Sequence, residues 1–136
     1  MSISMSLIKA DIVAASQAVD YYKQKNLKDI KNVAAYHLQQ ASEKLIKIQI
    51  YANAESINNA SMFTHNIEKL LIYADTLEID LTVPQYIREN SLIISDWEAG
   101  SRYSIDFSIK INTLKKTLSV ISDWYDELYS AGLRQA

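Results

Sequence analysis

The stretch 107–128, FSIKINTLKKTLSVISDWYDEL, places Phe107, Ile111, Leu114, Leu118, Ile121, Tyr125 and Leu128 at alternating steps of four and three. Side chains at that spacing fall on one face of a helix with 3.6 residues per turn, whereas a half-buried strand would alternate every second residue. Charged residues fill the positions between: Lys115, Lys116, Asp123, Asp126 and Glu127. Asp106 falls in the first turn of the expected helix, where a negative charge suits the positive end of the dipole. The stretch therefore predicts a long amphipathic helix that needs a partner surface for its apolar stripe.

The same pattern recurs towards the N-terminus. Ile8, Ile12, Ala15, Val19 and Tyr22 predict a helix from about Ser6 to Lys25, with Lys23 and Lys25 in the last turn and Asn26 as the stop. Ala34, Leu38, Ala41, Leu45 and Ile48 predict a second helix over about Asp29–Ala52, whose small residues allow a neighbour to approach closely. Ile46, Ile50 and Tyr51 lie off that stripe and need cover, which points to a second copy or a partner. Asn53–Phe63, rich in Asn and Ser, reads as a loop. Thr64 is the expected cap of a third helix carrying Ile67, Leu70, Leu71, Ala74 and Leu77. Pro84 suits the first turn of a fourth, with Thr82 as its cap and Tyr86 or Ile87, Ile94 and Trp97 as its contacts, before Ala99-Gly100-Ser101 breaks the pattern.

Five helices with mostly short connections imply an all-α fold, an up-and-down antiparallel bundle. Two Gly and one Pro in 136 residues fit few, long elements. The length suits one domain, 1–136. Without Cys there is no disulfide, thiolate metal site or thiol nucleophile. Net charge is −2 with the signs interspersed, so the basic patch that duplex DNA requires is missing. Met1–Leu7 lacks the basic cluster and apolar run of a signal peptide, and no apolar stretch reaches the ~20 residues that span a bilayer, so a cytoplasmic protein without membrane contact is expected. No Gly-rich phosphate loop is present.

On the second helix a polar stripe, Tyr36, Gln40, Glu43 and Lys47, repeats at the same spacing as the apolar one. Glu43 and Lys47 form either an exposed i,i+4 pair worth about 0.2–0.5 kcal/mol or one wall of a polar cleft. His37 and His65 have no acidic cluster at ligand spacing, so no metal site is expected, and no other cofactor. His65 near a helix start reads first as a capping or packing residue. Arg102 offers a planar fork of donors to a phosphate, or to a carboxylate such as Glu43 or Asp106. Tyr36, Tyr73, Tyr86, Tyr103, Trp97 and Trp124 either stack on bases or bury their rings between helices and leave their polar tips wet.

Three segments in order resemble the HEPN family: His37-Leu38-Gln39-Gln40-Ala41-Ser42-Glu43-Lys44-Leu45-Ile46-Lys47; Thr64-His65-Asn66-Ile67; and Ser101-Arg102-Tyr103. The first is similar to that family's Gln-Gln-Ala followed by Glu-Lys and a further Lys. The second is similar to its Thr-His-x-Leu, and the third to its small-Arg-Tyr. The resemblance spans most of the chain and implies a helical bundle that dimerises, often beside a small nucleotidyltransferase in prokaryotic toxin–antitoxin or defence pairs, and that works near nucleotides or RNA. Gln40, Glu43, Lys47, His65, Arg102 and Tyr103 are the candidate contacts for such a ligand.

Many HEPN members are metal-independent ribonucleases that use an Arg and a His with four to six residues between them. Here the eligible positions after Arg102 hold Phe107, Ser108 and Ile109, and no His follows His65. The resemblance thus implies a non-catalytic binding module, a homodimer or a nucleotidyltransferase partner, with no catalytic residue to name. A ribonuclease toxin pairing Arg102 with a substitute acid–base group is the alternative, and a purely structural oligomerisation domain a third.

Overall fold

The computed structural model describes residues 3–103 and 109–136, with 101–103 as backbone alone. Its helices are α1 (Met5–Lys25), α2 (Ile30–Asn53), α3 (Asn59–Met62), α4 (Ile67–Thr76), α5 (Gln85–Glu89), α6 (Ser91–Tyr103) and α7 (Ile111–Ser130). Five are long and two are single turns, and among the described residues there is no strand beyond one isolated bridge, Ser4 with Gln135. The fold is an all-α bundle.

Local chemistry sets the helix ends. Ser4 caps α1 by accepting from the Leu7 N–H at 3.2 Å. The helix stops at Asn26, which takes the left-handed conformation (φ 53°) that Asn tolerates better than most residues. The short connection to Ile30 turns the chain back, and α2 packs along α1. Asn58 caps α3 and Asn66 caps α4, each side chain accepting from the N–H three residues on. Thr64, the expected cap, instead accepts from the Asn66 N–H at 3.1 Å and shapes the approach to the helix.

α2 is the centre of the bundle. It packs against α1, α4, α6 and α7, and buries side chains on nearly every face. Ile46 and Ile50 are fully buried and Tyr51 packs against the core, so the cover they need comes from the same chain. They therefore give no support to a second copy. Gln49, also buried, donates to the carbonyls of Leu45 (2.9 Å) and Thr82 (3.0 Å) and accepts from the Thr82 N–H (2.8 Å). The Trp124 indole donates to the same Thr82 carbonyl at 2.7 Å. Thr82 is thus no helix cap: its backbone is pinned between α2 and α7, and Pro84 starts α5 without a side-chain cap.

The single fourth helix expected after Pro84 is two helices with a break at Asn90, whose side chain donates to the Tyr86 carbonyl at 2.8 Å. The competing local bond explains the break. Beyond it, α6 runs straight through Ala99-Gly100-Ser101. One helical Gly costs only about 1 kcal/mol, which the packing of α6 on α2 and α4 outweighs.

α7 begins at Ile111, and Asp106 and Phe107 lie outside the described residues. Its core face is Leu114, Thr117, Ile121, Trp124, Tyr125 and Leu128, while Leu118 is only half-buried. Thr117 reaches the core because its hydroxyl is satisfied, donating to the Thr113 carbonyl and lying 2.8 Å from the Tyr86 hydroxyl. Ile3 and Ala136 pair through their backbones: the Ile3 N–H donates to the Ala136 carbonyl at 2.8 Å, and the Ile3 carbonyl accepts from the Ala136 N–H at 2.9 Å. Among the described residues no helix is long and apolar enough to cross a membrane.

Candidate functional site

α2, the first turn of α1 and the segment joining α3 to α4 enclose a cleft of about 600 Å³. Ile3, Leu7, Tyr51, Met62 and Phe63 give it a mainly apolar wall, and Gln40, Glu43, Lys44, Lys47 and His65 converge from one side. Mainly apolar walls with a few convergent polar groups are the usual make-up of a small-ligand site. Four of the six residues proposed from sequence, Gln40, Glu43, Lys47 and His65, meet here. The side chains of the other two, Arg102 and Tyr103, lie outside the described residues.

Glu43 organises the cleft. Its side chain is only 6% exposed, so its charge must be compensated. Oε1 accepts from Gln39 Nε2 at 3.1 Å and lies 2.8 Å from His65 Nδ1, while Oε2 accepts from Lys47 Nζ at 2.9 Å. Gln39 spends its second amide hydrogen on the His65 carbonyl at 2.9 Å, and its oxygen accepts from Gln40 Nε2 at 2.7 Å. The Glu43–Lys47 pair expected at i,i+4 therefore exists, but buried within a network and not on a solvated face. The i,i+4 spacing was readable from sequence; the segment 64–66 that closes over it was not.

His65 is neither the cap of α4 nor a core residue. An ionised carboxylate only accepts, so the proton on Nδ1 is directed to Glu43. That fixes the ring and leaves Nε2 as the outward nitrogen, on a side chain 59% exposed. The Glu98 carboxylate on α6 lies 3.9 Å from Nε2, outside hydrogen-bond reach. Arg102 lies one helical turn beyond Glu98 on the same helix.

A second carboxylate does parallel work next door. Asp11 of α1 lies 2.8 Å from His37 Nδ1 and accepts from Lys44 Nζ at 2.7 Å, both partners coming from α2. Sequence reasoning missed it, although the signal was present: Asp11 lies three residues after Ile8 and four before Ala15, on the buried face, where a carboxylate has to be paired. Through this pair Lys44 is held against the cleft.

The aromatic residues divide clearly. Trp97 and Trp124 are core. Tyr73 and Tyr86 are half-buried with bonded hydroxyls, the first accepting from the Asn58 N–H at 2.8 Å and the second meeting Thr117. Tyr36 is half-buried and sets its ring edge-on to His37. Packing, not base stacking, accounts for these five.

Among the described residues no group of three or more His, Cys, Asp or Glu is arranged to hold a metal ion. The polar groups of the cleft can hold an anion or a hydrogen-bonding ligand through Lys47, Lys44 and the outward nitrogen of His65. In comparison with known proteins, the family model described as the HEPN domain matches residues 13–126. No curated protein and no solved structure matches the chain.

Proposed function

The chain belongs to the HEPN domain family, and from that membership we propose that it is a binding module for a nucleotide or RNA rather than a ribonuclease. The observation that carries this reading is the network around Glu43. It fixes a lysine, an imidazole and an amide at one end of a mainly apolar cleft. Such an end suits a phosphate, and the apolar remainder suits the rest of a nucleotide. The missing His after Arg102 argues against turnover: metal-free RNA cleavage needs a base for the 2′-hydroxyl and an acid for the leaving oxygen.

The biological setting we propose is a homodimer, or a complex with a small nucleotidyltransferase, in a toxin–antitoxin or defence pair in the cytoplasm; membership of the family supports it. Light scattering of the protein alone, then with a candidate nucleotidyltransferase, tests the assembly. Anisotropy with labelled single-stranded RNA, together with calorimetry on free nucleotides, tests the ligand. Binding should weaken in Lys47→Ala and His65→Ala. Undiminished binding in both variants would place the ligand elsewhere.

One observation favours the ribonuclease alternative. A carboxylate-held imidazole with its far nitrogen exposed is the arrangement of a general acid–base, and the backbone of Arg102 is on the helix that brings Glu98 to it. An RNA cleavage assay in chelator separates the two readings.

A further inference from the structure

Phe63 is 87% exposed, the highest value among the large hydrophobic residues described as exposed. An exposed apolar side chain alone means little, but the backbone that carries this one is held from both sides. Its own N–H donates to the Asn59 carbonyl at 2.9 Å, and the next N–H, of Thr64, donates to the Met62 carbonyl at 2.9 Å. Met62 before it is buried, and His65 two residues on is tied to α2 through both its carbonyl and its ring. Phe63 therefore lines the cleft from a fixed backbone, and Glu43, Lys47 and His65 line the same cleft.

We propose that Phe63 is a stacking platform for the base of a nucleotide unit whose phosphate lies against Lys47 and His65. This rests on the binding reading given above and adds the residue that recognises the base. A flat, exposed aromatic face gains from any nucleobase and reads no hydrogen-bond pattern, so the preference is for a base as such and not for one sequence. The chemistry is shared by a free mononucleotide and by one residue of a single-stranded RNA.

The test uses the full chain with three probes: adenosine 5′-monophosphate, ribose 5-phosphate and a short oligoadenylate. Wild type should bind the first at least about five-fold more tightly than the second, since a base–aromatic stack is worth roughly 5- to 150-fold. Phe63→Ala and Phe63→Leu should erase that preference, and Phe63→Tyr and Phe63→Trp should keep it. Preference for the oligoadenylate over the mononucleotide would identify RNA as the source of the base, and the converse a free nucleotide; both support the stack. Retention of the preference in Phe63→Leu would overturn it, because apolar contact would then suffice. So would a Phe63→Ala protein that binds normally but changes its oligomeric state, which would make the ring a protein contact. If wild type binds none of the probes, the binding reading fails and this one with it. If wild type binds and Phe63→Ala binds equally, only the role of Phe63 fails.

Discussion

Oε1 of Glu43 and Nδ1 of His65, twenty-two residues apart in sequence, lie 2.8 Å apart, and this contact closes the α3–α4 segment onto the central helix. The same carboxylate holds Lys47 through its other oxygen. Glu43→Gln keeps the shape but removes the charge, leaving the mostly buried Lys47 ammonium without a counterion. Breaking a fully buried pair costs about 3–5 kcal/mol; with Lys47 still 14% exposed and the amide still able to accept, about 1–3 kcal/mol is expected. Urea denaturation measures it. An unchanged midpoint would mean that the pair adds nothing to stability.

Asp11 joins α1 to α2 through His37 and Lys44. Asp11→Asn should lower stability by about 1.5–3 kcal/mol, the range of hydrogen bonds to a charged group. In a double-mutant cycle with Lys44→Met, the two losses should fall short of additive. Strict additivity would show that the 2.7 Å contact carries no coupling.

Leu114 and Leu118 lie four residues apart on one predicted stripe and have different surroundings. Leu114 is fully buried and Leu118 half-buried. Leu114→Ala should cost about 2–5 kcal/mol, and Leu118→Ala clearly less. Equal shifts in urea midpoint would place both in the core.

That pair illustrates what the sequence could disclose. Periodicity located the five long helices because each buries a stripe along its own axis. It did not give the exact face of α7, since Thr117 enters the core with its hydroxyl bonded both to the Thr113 carbonyl and to the Tyr86 hydroxyl, the latter thirty-one residues away. Ile46 and Ile50 looked unpartnered because α2 is enclosed on nearly all sides, which a search for one apolar face does not anticipate. Gln40, Glu43, Lys47 and His65 were legible from their types and from family resemblance. The burial that turns Glu43 from a surface charge into the organiser of a cleft depends on the segment 64–66, and no local pattern encodes it.

Burial raises the pKa of the Tyr125 hydroxyl above its ordinary value of 10.0, with Tyr129 beside it adding to the shift and Arg134 opposing it. A raised folded-state pKa means that the folded protein holds the proton more tightly than the unfolded chain. The stability linked to it is complete below about pH 10 and is lost as pH rises through the folded value. Tyr125→Phe should flatten that part of the pH–stability curve. A curve equally steep in the variant would assign the loss to other groups.

The direct measurement is to incubate labelled single-stranded RNA with the purified protein in chelator and follow both anisotropy and strand length. The account predicts a rise in anisotropy that Lys47→Ala and His65→Ala diminish, with the RNA intact throughout. Cleavage that disappears in both Arg102→Ala and His65→Ala would contradict it and make His65 the acid–base group of a ribonuclease.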